Sequence, residues 1–246
     1  MKRLVDQFYR CLVSRGPVPV NAFMDLYTGG KNRPVFFDID DVCPQLRQVE
    51  ENYDVIREEL ESVLLQRMQI PSYHEVYRDQ RRISATVDPD KRWQAFMLYA
   101  MGEKLDFNRR SCPRTCDILD RIPNLFQAFF SILEGGKSIP EHAGPYRGYL
   151  RYHFGLRVPS NNPPCIRIKD QFYTWEERKS ILFDDSWQHE VYNQSDDIRV
   201  VLVVDILRPM PWLPHCLNLV VSVLIRYFYA KRVIAAADRM ARPTQP

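Results

Sequence analysis

The decisive stretch of this sequence is YLRYHFGLRV, residues 149–158, because it alternates as a β-strand does. Leu150 and Tyr152 fall on one face of such a strand, while Arg151 and His153 fall on the other. A cation and an imidazole would therefore point together into one cavity, with apolar side chains behind them. The stretch predicts a strand that separates an apolar layer from a polar site.

Short runs of the same kind, broken by Gly, Pro, Asn and Asp, occur on both sides of this strand. They are FQAFFSIL (126–133), CIRIKDQFYTW (165–175), SILFDD (180–185) and RVVLVVDIL (199–207). Such runs are typical of an antiparallel sandwich or barrel. Upstream, residues 45–68 carry apolar residues every three or four positions and predict an amphipathic helix, and residues 93–102 predict a strand or short helix. We expect a helical N-terminal half that supports a β-core.

The composition of the chain fits one large catalytic domain. Its 246 residues are 45% hydrophobic, which suffices for a sizeable core. The 34 basic and 31 acidic residues give a formal charge of +3 without a separate basic run, so nucleic acid is not an expected partner. The six cysteines are scattered, and even the close pair Cys112 and Cys116 fits no common zinc spacing, which predicts reduced thiols in a cytosolic protein.

The two ends of the chain carry amphipathic patterns. Residues 1–15 mix cations with apolar residues at helical spacing and predict an amphipathic helix, not a signal peptide. Residues 209–225 hold no formal charge, but they are too short and too rich in proline to span a bilayer. Aromatic and basic residues follow at 226–232, an arrangement that suits either a membrane surface or a terminal helix docked on the core.

Three of the five histidines, His142, His153 and His189, fall within the predicted β-core. Two histidines held on a small β-scaffold beside arginines are what a non-haem iron site needs to activate oxygen next to a keto acid. Arg151 and Arg199 are such neighbours. Buried histidines are also common as hydrogen-bonded core residues, so the spacing by itself leaves metal binding and core packing as alternatives.

Residues 93–209 resemble the oxygenase domain of the aspartyl/asparaginyl β-hydroxylase family, whose members are iron(II)- and 2-oxoglutarate-dependent enzymes. The matching stretches, in order, are WQAF (93–96), PRTC (113–116), FSI (130–132), HAGP (142–145), LRYHFGL (150–156), CIR (165–167), TWEE (174–177), LFDDS (182–186), HEV (189–191) and RVVLVVD (199–205). The resemblance implies an α+β fold with a mainly β core, namely a double-stranded β-helix of the jelly-roll, cupin-like kind, with flanking N-terminal helices and a C-terminal helix. We divide the chain into a helical support region (1–90), the oxygenase core (91–210) and an apolar and basic helical extension (211–246).

The resemblance also assigns roles to individual residues. His142 and His189 would bind iron(II), and Gly144 stands where most enzymes of this class carry a third, carboxylate ligand, so water would complete the site. The keto acid 2-oxoglutarate, a co-substrate together with O2, would be held by Trp93, Ser131, Arg151, His153 and Arg199. The last of these would pair with its distal carboxylate. Asp184 and Asp185 would form a turn or support the metal ligands.

We expect a hydroxylase that acts on the β-carbon of Asp or Asn in a peptide or amino-acid substrate, with Arg151 as a catalytic residue that helps to receive the acidic group. Tyr149, however, stands where peptide-modifying members carry a basic residue. The alternative is a lipid acyl-chain hydroxylase at the membrane surface, similar to bacterial enzymes that modify lipid A. Those enzymes tend to carry a carboxylate at the position of Gly144 and an N-terminal membrane anchor, which we do not expect here.

A third alternative, from another class, is a non-catalytic binding module that keeps the cupin-like scaffold. Only the enzyme hypotheses predict that iron(II) and 2-oxoglutarate both raise the melting temperature. For location we expect the cytoplasm, with peripheral contact of the C-terminal segment at the inner face of the membrane.

Overall fold

The computed structural model describes residues 18–65, 70–77, 80–85 and 90–241. Its centre is a seven-stranded antiparallel sheet that packs against a four-stranded antiparallel sheet. In spatial order the large sheet consists of β1 (Phe36–Phe37), β9 (Ser180–Phe183), β6 (Tyr149–Arg157), β11 (Arg199–Leu207), β4 (Leu125–Leu133), β2 (Trp93–Ala100) and β3 (Glu103–Lys104). The small sheet consists of β5 (Ile139–His142), β10 (His189–Tyr192), β7 (Cys165–Ile168) and β8 (Gln171–Thr174). This confirms the predicted α+β class and its double-stranded β-helix.

Helices cover the outer face of the large sheet and both of its ends. They are α1 (Val18–Thr28), α2 (Ile39–Val42), α3 (Arg47–Glu51), α4 (Tyr53–Leu65), α5 (Tyr73–Val76), α6 (Arg81–Ser84), α7 (Asp106–Arg109), α8 (Pro113–Leu119), α9 (Trp212–Ile225) and α10 (Lys231–Ala241). Two 3-10 turns (Gly30–Asn32 and Pro44–Leu46) precede α2 and α3, and a π-helical turn (Arg226–Ala230) joins α9 to α10.

Strand β11 is buried along its whole length, and its alternation divides the interior into two layers. Leu202 and Val204 face the helices, together with Leu150 and Tyr152 of the neighbouring strand β6. Residues between them, such as Val203, face the small sheet. The alternation expected for residues 149–158 is therefore confirmed, and the polar residues of β6 point into the space between the two sheets.

The helix expected over residues 45–68 is interrupted. The chain enters it through a 3-10 turn, α3 ends one residue before Asn52, and α4 begins one residue after it. Asn52 takes the capping position, and its side-chain amide donates to the carbonyl oxygen of Gln48, 2.8 Å away. All six predicted core positions of this segment are nevertheless buried, namely Leu46, Val49, Tyr53, Ile56, Leu60 and Val63. Residues 66–69 lie outside the described residues.

The N-terminal region is not purely helical, because β1 pairs with β9 and adds an edge strand to the large sheet. The stretch expected to be a strand or a short helix at residues 93–102 is the strand β2. The five described cysteines are free thiols, as the sequence predicts, and Cys112 and Cys116 are buried in the layer between helices and sheet. The helix expected over residues 1–15 lies outside the described residues.

The C-terminal segment forms two helices of different character. In α10, Val233 and Ala237 are buried and belong to the inner core, so this helix docks on the body of the protein. In α9 only one side is buried, through Pro214, Asn218 and Val221. Helix α10 therefore packs on the core, while α9 leaves one apolar side exposed. No helix within the described residues is long and apolar enough to cross a membrane.

Ile56 tests how much the helical layer contributes to stability. Its side chain in α4 is fully buried against the large sheet, so Ile56→Ala should lower the free energy of unfolding by about 2–5 kcal/mol, through lost burial and a cavity. Glu51→Ala, at an exposed position in α3, is the control and should change it by less than about 0.5 kcal/mol. Urea denaturation measures both, and equal effects of the two substitutions would contradict the expectation.

Candidate functional site

Two imidazoles face each other across the small sheet. His189 of β10 and His142 of β5 are paired residues in the ladder, and their ring centroids are 4.1 Å apart. The Nδ1 atom of each ring lies 2.8 Å from a backbone carbonyl oxygen two residues earlier, that of Pro140 and that of Trp187. A carbonyl only accepts, so each Nδ1 carries a proton, and Nε2 is the atom of each ring that can bind a metal. The pair therefore offers two nitrogen donors, as the resemblance implies.

The state of His142 fits the role of a metal ligand. Burial, followed by the nearness of His189, lowers the pKa of His142 to about 3. The ring is therefore neutral at physiological pH, which is the form that binds a metal.

A carboxylate occupies the space beside these rings that a side chain at residue 144 would fill. A Cβ atom added to Gly144 would collide with the carboxylate of Asp185 and lie 2.5 Å from the hydroxyl oxygen of Tyr149. Asp185 Oδ1 is 3.5 Å from Nε2 of His189, and its Oδ2 accepts a hydrogen bond of 2.5 Å from Tyr149. The site thus has a carboxylate close to the histidines, supplied four residues before His189 instead of at position 144.

Arg151 is held by two carboxylates. Its Nε and Nη2 donate to the two oxygens of Asp205 at 2.7 and 2.8 Å, and its Nη1 donates to Asp185 at 2.6 Å. Burial is the largest influence on Asp185 and would raise its pKa, but the guanidinium, the two histidines and the hydrogen bond from Tyr149 together outweigh it and lower that pKa below its ordinary value. All three donating nitrogens of Arg151 are therefore engaged within the protein. Its expected contact with 2-oxoglutarate stays a prediction, and it requires one of these ion pairs to loosen.

Arg199 has no such partner. Its side chain is 1% exposed, and among the described residues no Asp or Glu lies within ion-pair distance of it. Its Nη1 is 3.5 Å from Oγ of Ser131, which also accepts a hydrogen bond of 2.9 Å from Nε1 of Trp93. Burial lowers the pKa of Arg199 to about 9, so the guanidinium still carries its charge at neutral pH. Trp93, Ser131 and Arg199 therefore form one connected, cationic end of the site.

Strand β11, which begins at Arg199, also carries one carboxylate. Asp205 is the carboxylate of that strand, but it lies six residues away, or roughly 20 Å at the rise of a β-strand. It pairs with Arg151 on the adjacent strand, because Arg151 is its direct partner in the ladder.

Two further buried groups line the space between the cationic end and the histidine pair. The ring of His153 stacks on Trp175 at 5.8 Å and meets the edge of Phe183 at 5.0 Å, while the guanidinium of Arg199 lies 4.5 Å above Trp175. Burial, reinforced by Arg151 and Arg199, lowers the pKa of His153 well below its ordinary value. Nδ1 of His153, Nε1 of Trp175 and Nε of Arg199 are buried and have no hydrogen-bond partner among the described residues. Buried polar atoms are seldom left unpaired, so these three indicate a polar ligand.

The structure brings together all seven residues singled out from the sequence. Contacts run from the histidine pair through Phe183, His153 and Trp175 to the cationic end, and Arg151 joins through Asp185. These seven are Trp93, Ser131, His142, Arg151, His153, His189 and Arg199.

The sequence interpretation missed two neighbours, Asp205 and Trp175, and it did not foresee the contact of Tyr149 with Asp185. Alternation could have found Asp205, because residues 199, 201, 203 and 205 share one face. Trp175 follows the end of β8, and no periodic pattern marks it. Asp184, by contrast, forms the expected turn, because its Oδ1 accepts from the backbone N–H of Ser186 at 3.0 Å.

The chain matches the model of a protein family over most of its folded core. The match to aspartyl/asparaginyl beta-hydroxylase covers residues 50–209. The chain therefore belongs to the aspartyl/asparaginyl β-hydroxylase family, a family of hydroxylases. Among solved structures, a cupin family protein with a double-stranded β-helix fold from Methanocaldococcus jannaschii aligns with 39% of this chain and 77% of its own, at 18% identity and a TM-score of 0.29.

Two relatives of this chain are named for different substrates. An ornithine lipid ester-linked acyl 2-hydroxylase from Rhizobium tropici is 42% identical over 168 residues, which are 68% of this chain and 58% of that protein. An aspartyl/asparaginyl beta-hydroxylase from Homo sapiens is 33% identical over 123 residues, which are 48% of this chain and 16% of that protein. The chain thus spans less than two thirds of the length of either relative.

Gly144 tests whether Asp185 occupies the space of a residue-144 side chain. Gly144→Ala should lower the free energy of unfolding by about 1–3 kcal/mol, because its methyl group meets the Asp185 carboxylate and the Tyr149 hydroxyl. In an Asp185→Ala background the same substitution should cost less, since the carboxylate is gone and only the Tyr149 hydroxyl remains in its way. Urea denaturation of the four proteins of this cycle measures the coupling, and strictly additive effects would contradict the geometry.

The low pKa of His153 predicts how stability depends on pH. The folded protein holds this ring neutral, whereas the unfolded chain protonates it near its ordinary pKa of about 6.5. The free energy of unfolding is therefore not reduced by this ring above that pH, and it decreases as the pH falls below it. Replacing His153 with Gln should flatten this fall. Ser131→Ala, a substitution in the same pocket without a titrating group, should keep it. Urea denaturation between pH 7 and pH 5 with EDTA present measures the slopes, and an unchanged slope in His153→Gln would contradict the prediction.

Proposed function

We propose that this chain is an iron(II)- and 2-oxoglutarate-dependent dioxygenase that hydroxylates a lipid acyl chain. The observation that carries the proposal is the arrangement of one inner surface. Two imidazoles oriented by backbone carbonyls stand at one end, and at the other stands a buried guanidinium that no carboxylate of the described residues pairs with. A metal ion suits the first end and a carboxylate of a keto acid suits the second.

The metal would be held by Nε2 of His142 and Nε2 of His189. Within the described part of the chain, no group of three or more His, Cys, Asp or Glu side chains forms a metal site. Two protein ligands leave room for a chelating co-substrate and for water. Asp185 would add negative charge beside the metal, and its bonds to Tyr149 and Arg151 would keep it in place.

The keto acid would extend from the histidine pair toward Arg199. Its distal carboxylate would accept hydrogen bonds from Arg199 and the hydroxyl of Ser131, which Trp93 already orients. Nε1 of Trp175 is the further donor that no sequence pattern predicted, and it has no hydrogen-bond partner in the part of the chain that the structure describes. When bound to iron(II), 2-oxoglutarate and O2 supply the oxidation: one oxygen atom ends in succinate, the other in the new hydroxyl group, and CO2 is released.

Two arguments support a lipid substrate over an acidic peptide side chain. An acidic substrate needs a free cation, but Arg151 is neutralised by two carboxylates, and Tyr149 donates its hydroxyl to Asp185. In addition, the relative from Rhizobium tropici, named as a lipid acyl hydroxylase, shares 42% identity over 168 residues with this chain.

Hydroxylation of Asp or Asn, the first expectation from the sequence, is the second candidate. It is favoured by Gly144, because the sequence resemblance links a two-histidine site without a carboxylate at this position to the β-hydroxylases. It is also favoured by the relative from Homo sapiens that carries this name. A peptide-stimulated assay separates it from the lipid reaction.

Arg199 tests the proposed keto-acid site. Under anaerobic conditions with iron(II), 2-oxoglutarate at about 100 times its Kd should stabilise the fold by about 2.7 kcal/mol and raise the melting temperature. Arg199→Ala should weaken 2-oxoglutarate binding about 10- to 100-fold, because it removes a charged hydrogen-bond donor. Arg121→Ala, at an exposed arginine in the turn after α8, is the matched control and should bind as the unaltered chain does. Equal affinity of the two variants would contradict the role of Arg199.

Succinate production tests the activity itself. With iron(II), O2 and 2-oxoglutarate, acylated lipid dispersed in detergent should stimulate succinate release, and an Asp-containing peptide panel should not. Stimulation by peptide alone would establish the second candidate. Failure of iron(II) and 2-oxoglutarate to raise the melting temperature would instead favour the non-catalytic binding module.

A further inference from the structure

Helix α9 presents an uncharged apolar surface to solvent. The exposed large apolar side chains of α9 are Trp212, Leu213, Leu219, Val220, Val223 and Leu224. Tyr227, in the π-helical turn that follows, is exposed as well. At 3.6 residues per turn these positions fall on one side of the helix, here called the apolar face. Residues 209–225 contain no Asp, Glu, Lys or Arg. A surface helix ordinarily turns charged residues outward, so a contiguous face of this kind marks an interaction site.

The ends of the apolar face suit the boundary between lipid and water. Trp212 stands at its start and Tyr227 at its end, and both ring types settle at the level of lipid headgroups. Exposed cations flank Tyr227: Arg226 precedes it and has its Nε 3.5 Å from a carboxylate oxygen of Glu103, and Lys231 follows it. The sequence from residue 226 onward holds five basic residues and one acidic residue, a balance that attracts anionic headgroups. Charge and apolarity therefore favour a membrane over a protein partner, whose contact surfaces carry polar groups at their rim.

The length of α9 decides how it would meet a bilayer. Its 14 residues measure about 21 Å at 1.5 Å per residue, which is shorter than a hydrocarbon core of roughly 30 Å. Its opposite side is already bonded to the protein, because the side-chain amide of Asn218 donates to the carbonyl of Gly148 at 2.7 Å. The helix can therefore lie in the plane of the surface and cannot span it.

We propose that α9 docks this protein on a bilayer that contains anionic phospholipids, with the apolar face buried at the boundary of headgroups and acyl chains. The docked helix also holds the loop that runs from His142 to Tyr149. Asn218 receives a hydrogen bond of 2.7 Å from the hydroxyl of Tyr146 in that loop, in addition to its bond to Gly148. Docking thus sets the loop beside the histidine pair at the lipid surface, where an acyl chain can enter. This last step rests on the proposed lipid substrate, whereas the docking itself does not.

Vesicle sedimentation tests the docking. The full chain should bind vesicles of phosphatidylcholine mixed with phosphatidylglycerol, and bind vesicles of phosphatidylcholine alone more weakly, because only the first attract its cations. The double variant Val220→Asp/Val223→Asp places two charges on the apolar face at positions that are 56% and 50% exposed, so it should keep its melting temperature and lose about tenfold or more of its vesicle affinity. The control Leu65→Asp/Phe172→Asp alters apolar residues that are more exposed and lie on other surfaces, and it should keep that affinity.

Each outcome separates docking from the proposed reaction. Equal vesicle affinity of both double variants, or no binding by the unaltered chain, would overturn the docking. The unaltered chain could instead fail to bind vesicles but self-associate in analytical ultracentrifugation, with Val220→Asp/Val223→Asp losing that self-association. This result would overturn the docking in favour of a contact between two copies of the chain. If vesicle binding holds while detergent-dispersed lipid gives no succinate, the docking stands and the proposed reaction fails. If succinate forms from dispersed lipid but the chain does not bind vesicles, the proposed reaction stands and the docking fails.

Discussion

No face of strand β11 contacts water, and the rest of the molecule is arranged about that constraint. The strand is paired on both edges, with β4 and β6, so its backbone groups are satisfied. One face then requires a layer of helices and the other requires a second sheet, and the chain supplies both. Any charged side chain on this strand must find its compensation inside the protein or from a ligand, since an isolated buried charge is costly.

The two charged residues of β11 meet this requirement in different ways. Asp205 is paired with Arg151, which is paired in turn with Asp185, so each of these three side chains has a partner of opposite charge. Arg199 is covered by the ring of Trp175 and touched by Ser131, neither of which carries a negative charge. The interior therefore keeps a net positive charge at one place, and an anion that enters there gains attraction while it relieves the cost of the buried cation. A preference for an anion over a neutral molecule follows from this imbalance.

The sequence predicted the framework well, because alternation in strands and periodicity in helices are local properties. It identified the inner face of β6, the core positions of α3 and α4, and the residues that the structure gathers between the sheets. It did not predict which charges pair. That choice depends on ladder register between strands some fifty residues apart, as for Arg151 and Asp205, and no spacing along the chain encodes it. The break at Asn52 and the position of Trp175 were missed for a related reason, since both depend on single contacts instead of repeated patterns.

Each of the two facing imidazoles is oriented by a carbonyl only two residues away in its own segment, Pro140 for one and Trp187 for the other. The proton position of each ring is thus fixed by local backbone, independently of the side chains that shape the rest of the interior. Substitutions that reshape the substrate pocket can therefore accumulate without disturbing the two nitrogen donors. Because the ring orientation does not depend on those side chains, one family could keep the same two nitrogen donors while its members act on substrates as different as peptides and lipids.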